Sequence, residues 1–555
     1  MNGFDAVVSI LKREGVEYLF SYPNNAIIDS AAKAGLRPVI ARGEKTLINM
    51  ADGYARSVNG KKPAVIVVQQ GSGIENCFGA IAQAYADSIP LLIIPGGGDQ
   101  RNRGSEFDPI PSFGRITKWA DRVTYPERLA SSLRRAFQQL RNPPYGPVLL
   151  EIPRDVGAAE IPDATLAAYV PARAYRSAAD SADVTKAIDI LSRAKRPMII
   201  AGHGVLWAEA WGSLRAFAES TGIPVMTTMA SKGVFAENHP LSLGVGGLTL
   251  SRAAAQFLTT SDVILALGAG LIATVPFVTP IPEGKTLIQV SHDHDAIDRD
   301  YTIQHALIGD VGLVIDQLQT ESAKKGLRGP DATGEIREAR AAELRQWSPR
   351  FTSDETPISP YRVIRDLMNT VDRANTVVTH DSGNPRDQTL TSYEAITPRG
   401  YLGWGKSTQL GTGMGIALGA KLATPDKLCV NILGDLAFGT IGMEVETAVR
   451  ERLPILTVLI NNSVMGGYGH HMPNASEKFS SNRLSGEYWK VAEGLGAYAE
   501  RVTSPSEVVP ALKRAIDATR RGRPATIEFI TREEPVYPVA RGLLAEVAKE
   551  LRQPV

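Results

Sequence analysis

Short apolar runs alternate with amphipathic stretches along most of the chain. Predicted strands include 38–41, 64–68, 91–94, 147–152, 263–267, 286–290, 377–379, 428–433 and 455–460. Predicted helices include 44–58, 75–86, 411–422 and 441–450. Uninterrupted apolar strands are typical of parallel sheets covered on both faces. Their alternation with helices predicts an α/β fold, in which ligands gather at the carboxyl ends of the strands.

Two polar stretches divide the chain into three blocks. Small and polar residues fill 162–182, and a densely charged stretch covers 321–350. We interpret the second stretch as a loop followed by a solvated helix. A chain of 555 residues has room for three or four domains of about 150 residues. We therefore predict three doubly wound parallel-sheet domains at 1–165, 183–320 and 355–545.

Composition excludes several classes of protein. Lys and Arg number 60 against 59 Asp and Glu, a net charge of +1, which argues against a nucleic-acid-binding or polybasic membrane surface. No apolar run approaches the ~18 residues that span a bilayer, and the charged first helix is unlike a signal peptide. The two cysteines, Cys77 and Cys429, exclude a disulfide framework. We expect a cytoplasmic protein.

Two strands of the third block end in oxygen-bearing side chains. Strand 428–433 runs into Gly434 and Asp435, and strand 455–460 is followed by Asn462. Mg²⁺ binds about six oxygens and often takes only one or two from side chains, leaving the rest to phosphate and water. Alone, Asp435 is better explained as a helix cap and Asn462 as a turn residue. Together they predict a magnesium–diphosphate site.

These motifs, with the segment 410–421, are similar to the GDG…NN signature and neighbouring helix of thiamine-diphosphate-dependent enzymes. The resemblance is to the family of acetolactate synthase, benzoylformate decarboxylase and 2-hydroxyacyl-CoA lyase. It implies three such domains, named pyrimidine-binding, middle and diphosphate-binding. It also implies that Asp435, Asn462 and the Val464 carbonyl hold Mg²⁺.

The same resemblance assigns residues to thiamine diphosphate. Leu410 falls at the bulky apolar position that bends the cofactor, although core packing would also explain a leucine there. The Thr408 carbonyl is implied to accept a hydrogen bond from the 4′-amino group. Further implied contacts are Ser382, Asn384, Gly434, Leu436 and Ala437. Leu436 departs from the family, which usually has a small residue there, and we expect it to weaken metal or cofactor binding.

A second match to this family lies in the first block. Arg42-Gly43-Glu44, followed by the stretch 50–56, is similar to the motif RHE…MADGYAR. The resemblance implies that Glu44 is the catalytic glutamate, which hydrogen-bonds the aminopyrimidine and promotes loss of the thiazolium C2 proton. Considered alone, a glutamate at a helix N-terminus is explained by the helix dipole.

Substrate contacts are implied by a third match. The stretch 68–90 resembles the family's substrate-side loop and helix, with Gln69 and Gln70 where relatives carry His, Ser or Thr. These amides can bind a carboxylate or carbonyl but cannot act as strong acids. Proton transfer would then fall either to the cofactor amine or to a histidine, although histidines in surface loops are usually inert. Candidate catalytic proton relays are His380, His470 and His471.

The middle block carries a weak nucleotide-binding match, GxGxxA at 268–273. In the resembling enzymes this domain binds FAD, an ADP moiety such as that of CoA, or nothing. Binding of ADP/CoA or FAD by the middle domain is therefore open but unsupported. The arginine-containing flavin loop of acetolactate synthases is not found in this sequence. FAD is disfavoured on that ground.

The resemblance implies a thiamine-diphosphate-dependent lyase or carboligase acting on a small carbonyl substrate. We expect decarboxylation of a 2-oxo acid with acyl or hydroxyalkyl transfer, as in acetolactate synthase. The stretch 437–447 resembles 2-hydroxyacyl-CoA lyase and oxalyl-CoA decarboxylase more than acetolactate synthase. An enzyme of that kind is therefore the alternative. A catalytically silent paralogue is the rival from another class, supported by Leu436 and the two glutamines. The expected assembly is at least a homodimer, with Glu44 and Asp435 of one site on different chains, and in full a homotetramer.

Overall fold

Three six-stranded, all-parallel sheets follow one another along the chain. The computed structural model describes residues 1–99, 107–273 and 278–552. Helices lie between most of the consecutive strands, so the predicted α/β class with three doubly wound sheets is confirmed. Strands such as Ala64–Val68 and Val263–Leu267 are buried at every position because helices cover both faces.

The first domain contains the sheet whose third strand is followed by Gln69 and Gln70, the predicted substrate residues. Its strands are β1 (Tyr18–Ser21), β2 (Arg37–Ile40), β3 (Ala64–Val68), β4 (Leu91–Gly97), β5 (Trp119–Arg122) and β6 (Val148–Pro153). Their spatial order is β2-β1-β3-β4-β6-β5. Its helices are α1 (Gly3–Arg13), α2 (Asn25–Lys33), α3 (Glu44–Ser57), α4 (Ser72–Asn76), α5 (Phe78–Ala86), α6 (Pro109–Phe113), α7 (Leu129–Arg141), α8 (Arg154–Ala158) and α9 (Asp163–Ala167).

The middle domain repeats the architecture. Its strands are β7 (Pro197–Ala201), β8 (Val225–Thr228), β9 (Ser242–Gly246), β10 (Val263–Leu267), β11 (Thr286–Ser291) and β12 (His305–Ile308). They are ordered β12-β11-β10-β7-β8-β9. Its helices are α10 (Ser181–Ser192), α11 (His203–Trp207), α12 (Trp211–Thr221), α13 (Arg252–Thr260) and α14 (Val311–Lys325), and α15 (Thr333–Phe351) connects it to the third domain.

The third domain carries the predicted metal residues. Its strands are β13 (Thr376–His380), β14 (Tyr401–Leu402), β15 (Leu428–Gly434), β16 (Leu456–Asn461), β17 (Tyr498–Val502) and β18 (Ala525–Ile530). They are ordered β14-β13-β15-β16-β18-β17. Its helices are α16 (Pro360–Thr370), α17 (Asn384–Ser392), α18 (Gly413–Ala423), α19 (Asp435–Ile441), α20 (Val445–Arg450), α21 (Tyr468–His471), α22 (Pro473–Phe479), α23 (Tyr488–Gly494), α24 (Val508–Arg520) and α25 (Ala540–Glu550).

The first and third domains meet where α3 crosses α18. A Cβ atom added at Gly53 would lie 2.1 Å from the carbonyl oxygen of Ile416, and one at Gly419 would lie 1.9 Å from that of Met50. Only glycine allows main chains to approach this closely. The crossing therefore fixes the start of α3, where Glu44 lies, against the third domain.

The connecting segments differ from the prediction. A loop was predicted at the start of 321–350, but α14 continues to Lys325 and ends at Gly326, whose φ of +61° is the usual helix terminator. The helix α15 is not wholly solvated, since Trp347 on it is buried. Neither α15 nor any other helix in the described ranges is long and apolar enough to cross a membrane.

Candidate active site

A cavity of about 270 Å³ opens at the carboxyl edge of the third sheet. It lies where β13, β15 and β16 pass into the segments that follow them. Its lining includes these residues predicted to contact cofactor or metal: Ser382, Asn384, Thr408, Leu410, Gly434, Asp435, Leu436, Ala437, Asn462 and Val464. The fold thus gathers at one sheet edge the residues that the sequence assigned to one ligand.

Asp435 and Asn462 approach each other through the loop after β16. Asp435 Oδ1 accepts a hydrogen bond from the Leu436 N–H at 2.8 Å, and its Oδ2 accepts one from the Ser463 N–H at 2.7 Å. Asn462 Oδ1 accepts from the Val464 N–H at 3.1 Å. Burial raises the pKa of Asp435 to about 6. A nearby cation would favour the ionised form, because opposite charges stabilise each other at short range.

The side-chain oxygens of Asp435 and Asn462 are of the chemical type that binds Mg²⁺. Each carboxylate or amide oxygen has more than one lone pair and can accept further contacts. In the described part of the chain, no three His, Cys, Asp or Glu side chains converge on one point. A metal here therefore needs amide, carbonyl and ligand oxygens besides Asp435, which is the donor set that Mg²⁺ accepts.

The start of α17 places a hydrogen-bond donor without a protein partner against the cavity. Asn384, the first residue of α17, has a buried Nδ2 atom without a hydrogen-bond partner. The loop after β16 presses against it, since a Cβ at Gly466 would lie 2.3 Å from that nitrogen. A buried donor without a protein partner is costly unless a ligand accepts from it. The Asn384 amide can therefore donate a hydrogen bond to a phosphate oxygen of a bound diphosphate.

The segment 408–413 contributes Thr408 and Leu410 to the lining of the cavity, and its backbone is held by side chains. Ser382 Oγ donates to the Thr408 carbonyl at 3.0 Å, and Lys45 Nζ donates to the Leu410 carbonyl. Asp381, which the sequence analysis missed, accepts hydrogen bonds from the Gly411 and Gly413 amides. An acidic residue two positions beyond the predicted strand 377–379 was the one available signal.

Glu44 begins α3 as predicted, but it does not line this cavity in its own chain. Every lining residue belongs to the third domain, from Pro360 to Tyr468. Asn76 Nδ2 lies 3.4 Å from Glu44 Oε2. The start of α3 nonetheless lies beside the segment 408–413, through the contact of Lys45 with Leu410.

The two glutamines follow β3 and lie apart from the cavity of the third domain. Gln69 is exposed, and Gln70 lines a smaller cavity of about 200 Å³ in the first domain. That cavity lies at the carboxyl edge of the first sheet, beside the glycines 96–98 and Glu151. Within one chain the structure therefore does not bring the glutamines together with Asp435.

The three candidate histidines have different environments. His380 is completely buried, its ring stacks on Trp404 at 4.9 Å, and its Nε2 accepts from the Trp404 N–H at 3.3 Å. Burial lowers the pKa of His380 to about 3. It is therefore neutral and enclosed in the core, which argues against the predicted relay role. His470 and His471 are exposed on α21, next to Tyr468, an unpredicted lining residue of the cavity.

A further cavity, of about 230 Å³, lies beside the GxGxxA loop of the middle domain. Residues of all three domains line it, among them Tyr145 and Lys406. The buried His203 Nε2 and Trp207 Nε1 atoms, on two more lining residues, have no hydrogen-bond partner. Polar groups of this kind can bind a ligand, and ADP, CoA or FAD in this domain stays open but unsupported, with FAD disfavoured.

Comparison with known proteins matches all three domains. Residues 1–118 match the thiamine pyrophosphate enzyme N-terminal TPP binding domain, 184–318 the central domain, and 381–529 the C-terminal TPP binding domain. The chain is 30% identical to the probable acetolactate synthase large subunit of Methanocaldococcus jannaschii, with 93% of this chain and 90% of the relative covered. It is 31% identical to the acetolactate synthase large subunit of Corynebacterium glutamicum (97% and 88% covered). It is 29% identical to the sulfoacetaldehyde acetyltransferase of Alcaligenes xylosoxydans xylosoxydans (99% and 96% covered).

Proposed function

The chain belongs to the thiamine pyrophosphate enzymes, and on that premise we propose that it decarboxylates a 2-oxo acid and passes the acyl or hydroxyalkyl unit to an acceptor molecule. That it is a thiamine-diphosphate-dependent carboligase or acyl transferase follows from the family models and the relatives. The names of the relatives, acetolactate synthase and sulfoacetaldehyde acetyltransferase, support the choice of reaction. We assign it to the cytoplasm, in keeping with two free, buried cysteines.

The cavity at the edge of the third sheet is the observation that carries this proposal. We assign Mg²⁺ to Asp435, Asn462 and the Val464 carbonyl, and the diphosphate to the start of α17, where Asn384 Nδ2 lacks a partner. Thr408 and Leu410 would contact the rings, with Ser382, Gly434, Leu436 and Ala437 as further contacts. When bound, thiamine diphosphate supplies an electron sink for the bond next to a carbonyl.

The residues of the first domain would handle protons and substrate. Glu44 would hold or release a proton at the aminopyrimidine, which requires a carboxylate within hydrogen-bond reach of the ring. Gln69 and Gln70 would bind the substrate carboxylate or carbonyl, and His470 and His471 stay candidate relays. In this division of labour the pyrimidine-binding domain covers 1–165, the middle domain 183–320 and the diphosphate-binding domain 355–545.

The test is CO₂ release from pyruvate and a small panel of 2-oxo acids, with thiamine diphosphate and Mg²⁺ present. We expect CO₂ that depends on both additions, and product analysis then identifies the acceptor. Absence of CO₂ together with cleavage of a 2-hydroxyacyl-CoA thioester would replace this proposal by the acyl-CoA lyase alternative. Absence of both reactions would favour a silent paralogue.

We also propose that each active site is shared between two subunits, which makes a homodimer the minimal unit and a homotetramer the full assembly. The position of Glu44 supports this, because Glu44 does not line the cavity of its own chain. A second copy is the natural source of the missing carboxylate.

Mixing two inactive variants tests the shared site. Dimers that combine a Glu44→Ala chain with an Asp435→Asn chain should regain activity, because one of their two sites has both residues intact. Random mixing should give about one quarter of the wild-type activity, since half of the dimers are mixed. Each variant alone is the control. Mixed dimers, isolated through two different tags, that stay as inactive as the single variants would place the whole site within one chain.

A further inference from the structure

Asp381 directly follows β13, and its carboxylate accepts three hydrogen bonds from backbone N–H groups. Its Oδ1 accepts from the N–H groups of Ser382 at 2.8 Å and of Gly411 at 2.9 Å. Its Oδ2 accepts from the Gly413 N–H at 2.8 Å. The residue is completely buried. Burial raises the pKa of Asp381, while the amides and the nearby Lys45 ammonium act in the opposite direction.

The three amides belong to two segments that both contribute to the lining of the cavity. Ser382 lies just before α17, whereas Gly411 follows Leu410 and Gly413 is the first residue of α18. Gly411 has φ of +75°, and a Cβ there would lie 2.1 Å from the Ile441 side chain. The backbone at 411 is therefore committed to a turn that another residue could not easily take. The Asp381 carboxylate therefore holds the segment at Ser382 and the segment 411–413 together at this turn.

Asparagine, the residue closest in size and shape, could not replace this acceptor without loss. A carboxylate has two oxygens that only accept, whereas a carboxamide of the same size has one acceptor and one donor group. With asparagine in place of Asp381, an N–H group would face another N–H group inside a dry site. The backbone would have to move apart, because a buried donor left unpaired is unfavourable.

We propose that Asp381 is a positioning residue that fixes the backbone of 408–413, and with it the Leu410 side chain and the Thr408 carbonyl, before the cofactor binds. It acts through these groups rather than by touching the ligand. The inference rests on the proposed cofactor contacts of Thr408 and Leu410. It adds a residue whose carboxylate sets their geometry.

The test is the variant Asp381→Asn, followed first in the protein without cofactor. Amide hydrogen exchange in a peptide covering 408–413 should accelerate by about tenfold or more, as expected when a buried hydrogen bond is lost. The half-saturating concentration of thiamine diphosphate should rise by a similar factor. Turnover at saturating cofactor should fall less, because the altered wall is restored once the ligand fills it.

Asp262→Asn is the matched control. Asp262 is also a carboxylate that accepts two backbone N–H groups, from Lys195 at 2.7 Å and from Arg196 at 2.8 Å, but it lies in the middle domain. Neither the exchange of 408–413 nor the cofactor concentration should change in this variant. Unchanged exchange and unchanged half-saturation in Asp381→Asn would overturn the proposal.

Exchange in the wild-type protein decides the matter if Asp381→Asn does not fold. The amides of 411 and 413 should then be as protected as those of β13, and exchange as fast as in the exposed helix α21 would contradict the proposal. This measurement needs neither substrate nor metal. A failure of the proposed decarboxylation would therefore leave its result intact, and the two outcomes can be told apart.

Discussion

The variant Glu44→Ala should lose turnover by roughly 10²–10⁴-fold, the range that positioned proton transfer contributes, and keep its fold. The side chain is only partly buried at the start of α3, with Asn76 Nδ2 at 3.4 Å from it. The helix itself is held by its crossing with α18, which the substitution does not touch. The measurement is kcat at saturating thiamine diphosphate and Mg²⁺, with the thermal midpoint recorded alongside.

A glutamate elsewhere in the same domain provides the control for this variant. Glu127 is exposed in a short helical turn at 126–128, so Glu127→Ala should leave turnover unchanged. Near-wild-type turnover in Glu44→Ala would remove Glu44 from the mechanism. A loss of turnover that accompanies a collapse of the thermal midpoint would show a structural role instead.

The variant Asp435→Asn should abolish binding of the metal–cofactor pair at ordinary Mg²⁺ concentrations. The substitution keeps the size of the side chain but removes its negative charge, which is the strongest ligand among the oxygens of this site. We expect the half-saturating Mg²⁺ concentration to rise by about 100-fold or more, since changes in the surroundings of metal ligands already cost 10–100-fold. The measurement is a Mg²⁺ titration of activity and of cofactor-dependent fluorescence.

Asp517→Asn is a suitable comparison, because Asp517 pairs with Arg521 on the surface of α24, away from the cavity. Its Mg²⁺ dependence should match that of the wild type. If Asp435→Asn retained the wild-type Mg²⁺ requirement, the metal would have to lie elsewhere. The assignment of Asn462 and Val464 would then be withdrawn with it.

Much of the fold could be predicted because the relevant forces act locally. β3 and β10 have the predicted bounds, since a run of only five apolar residues, rich in β-branched and leucine side chains, is too short for a typical helix and favours a buried strand. The end of α14 could not be predicted in this way. Its last turn is polar because it faces solvent, and the helix ends only where Gly326 takes a positive φ.

The same distinction applies to the candidate site: the position of a residue at a strand end could be predicted, whereas its contacts with distant residues could not. Asp435 and Asn462 could be named from the sequence because strand ends place their own side chains at the sheet edge. The contacts of Asp381 and His380 depend on partners distant in sequence, the Gly413 amide and the Trp404 ring. No local pattern records such partners, so Asp381 was missed and His380 was named as a candidate proton relay, a role that its enclosure argues against.

The crossing of α3 and α18 has a mechanical consequence. With no side chain between Gly53 and Ile416, or between Gly419 and Met50, the two helices can neither slide nor tilt without a collision of their main chains. The first and third domains of one chain therefore form a single stiff frame. The stretch 463–472, which contributes Val464, Met465, Gly466 and Tyr468 to the lining of the cavity, lies outside this frame.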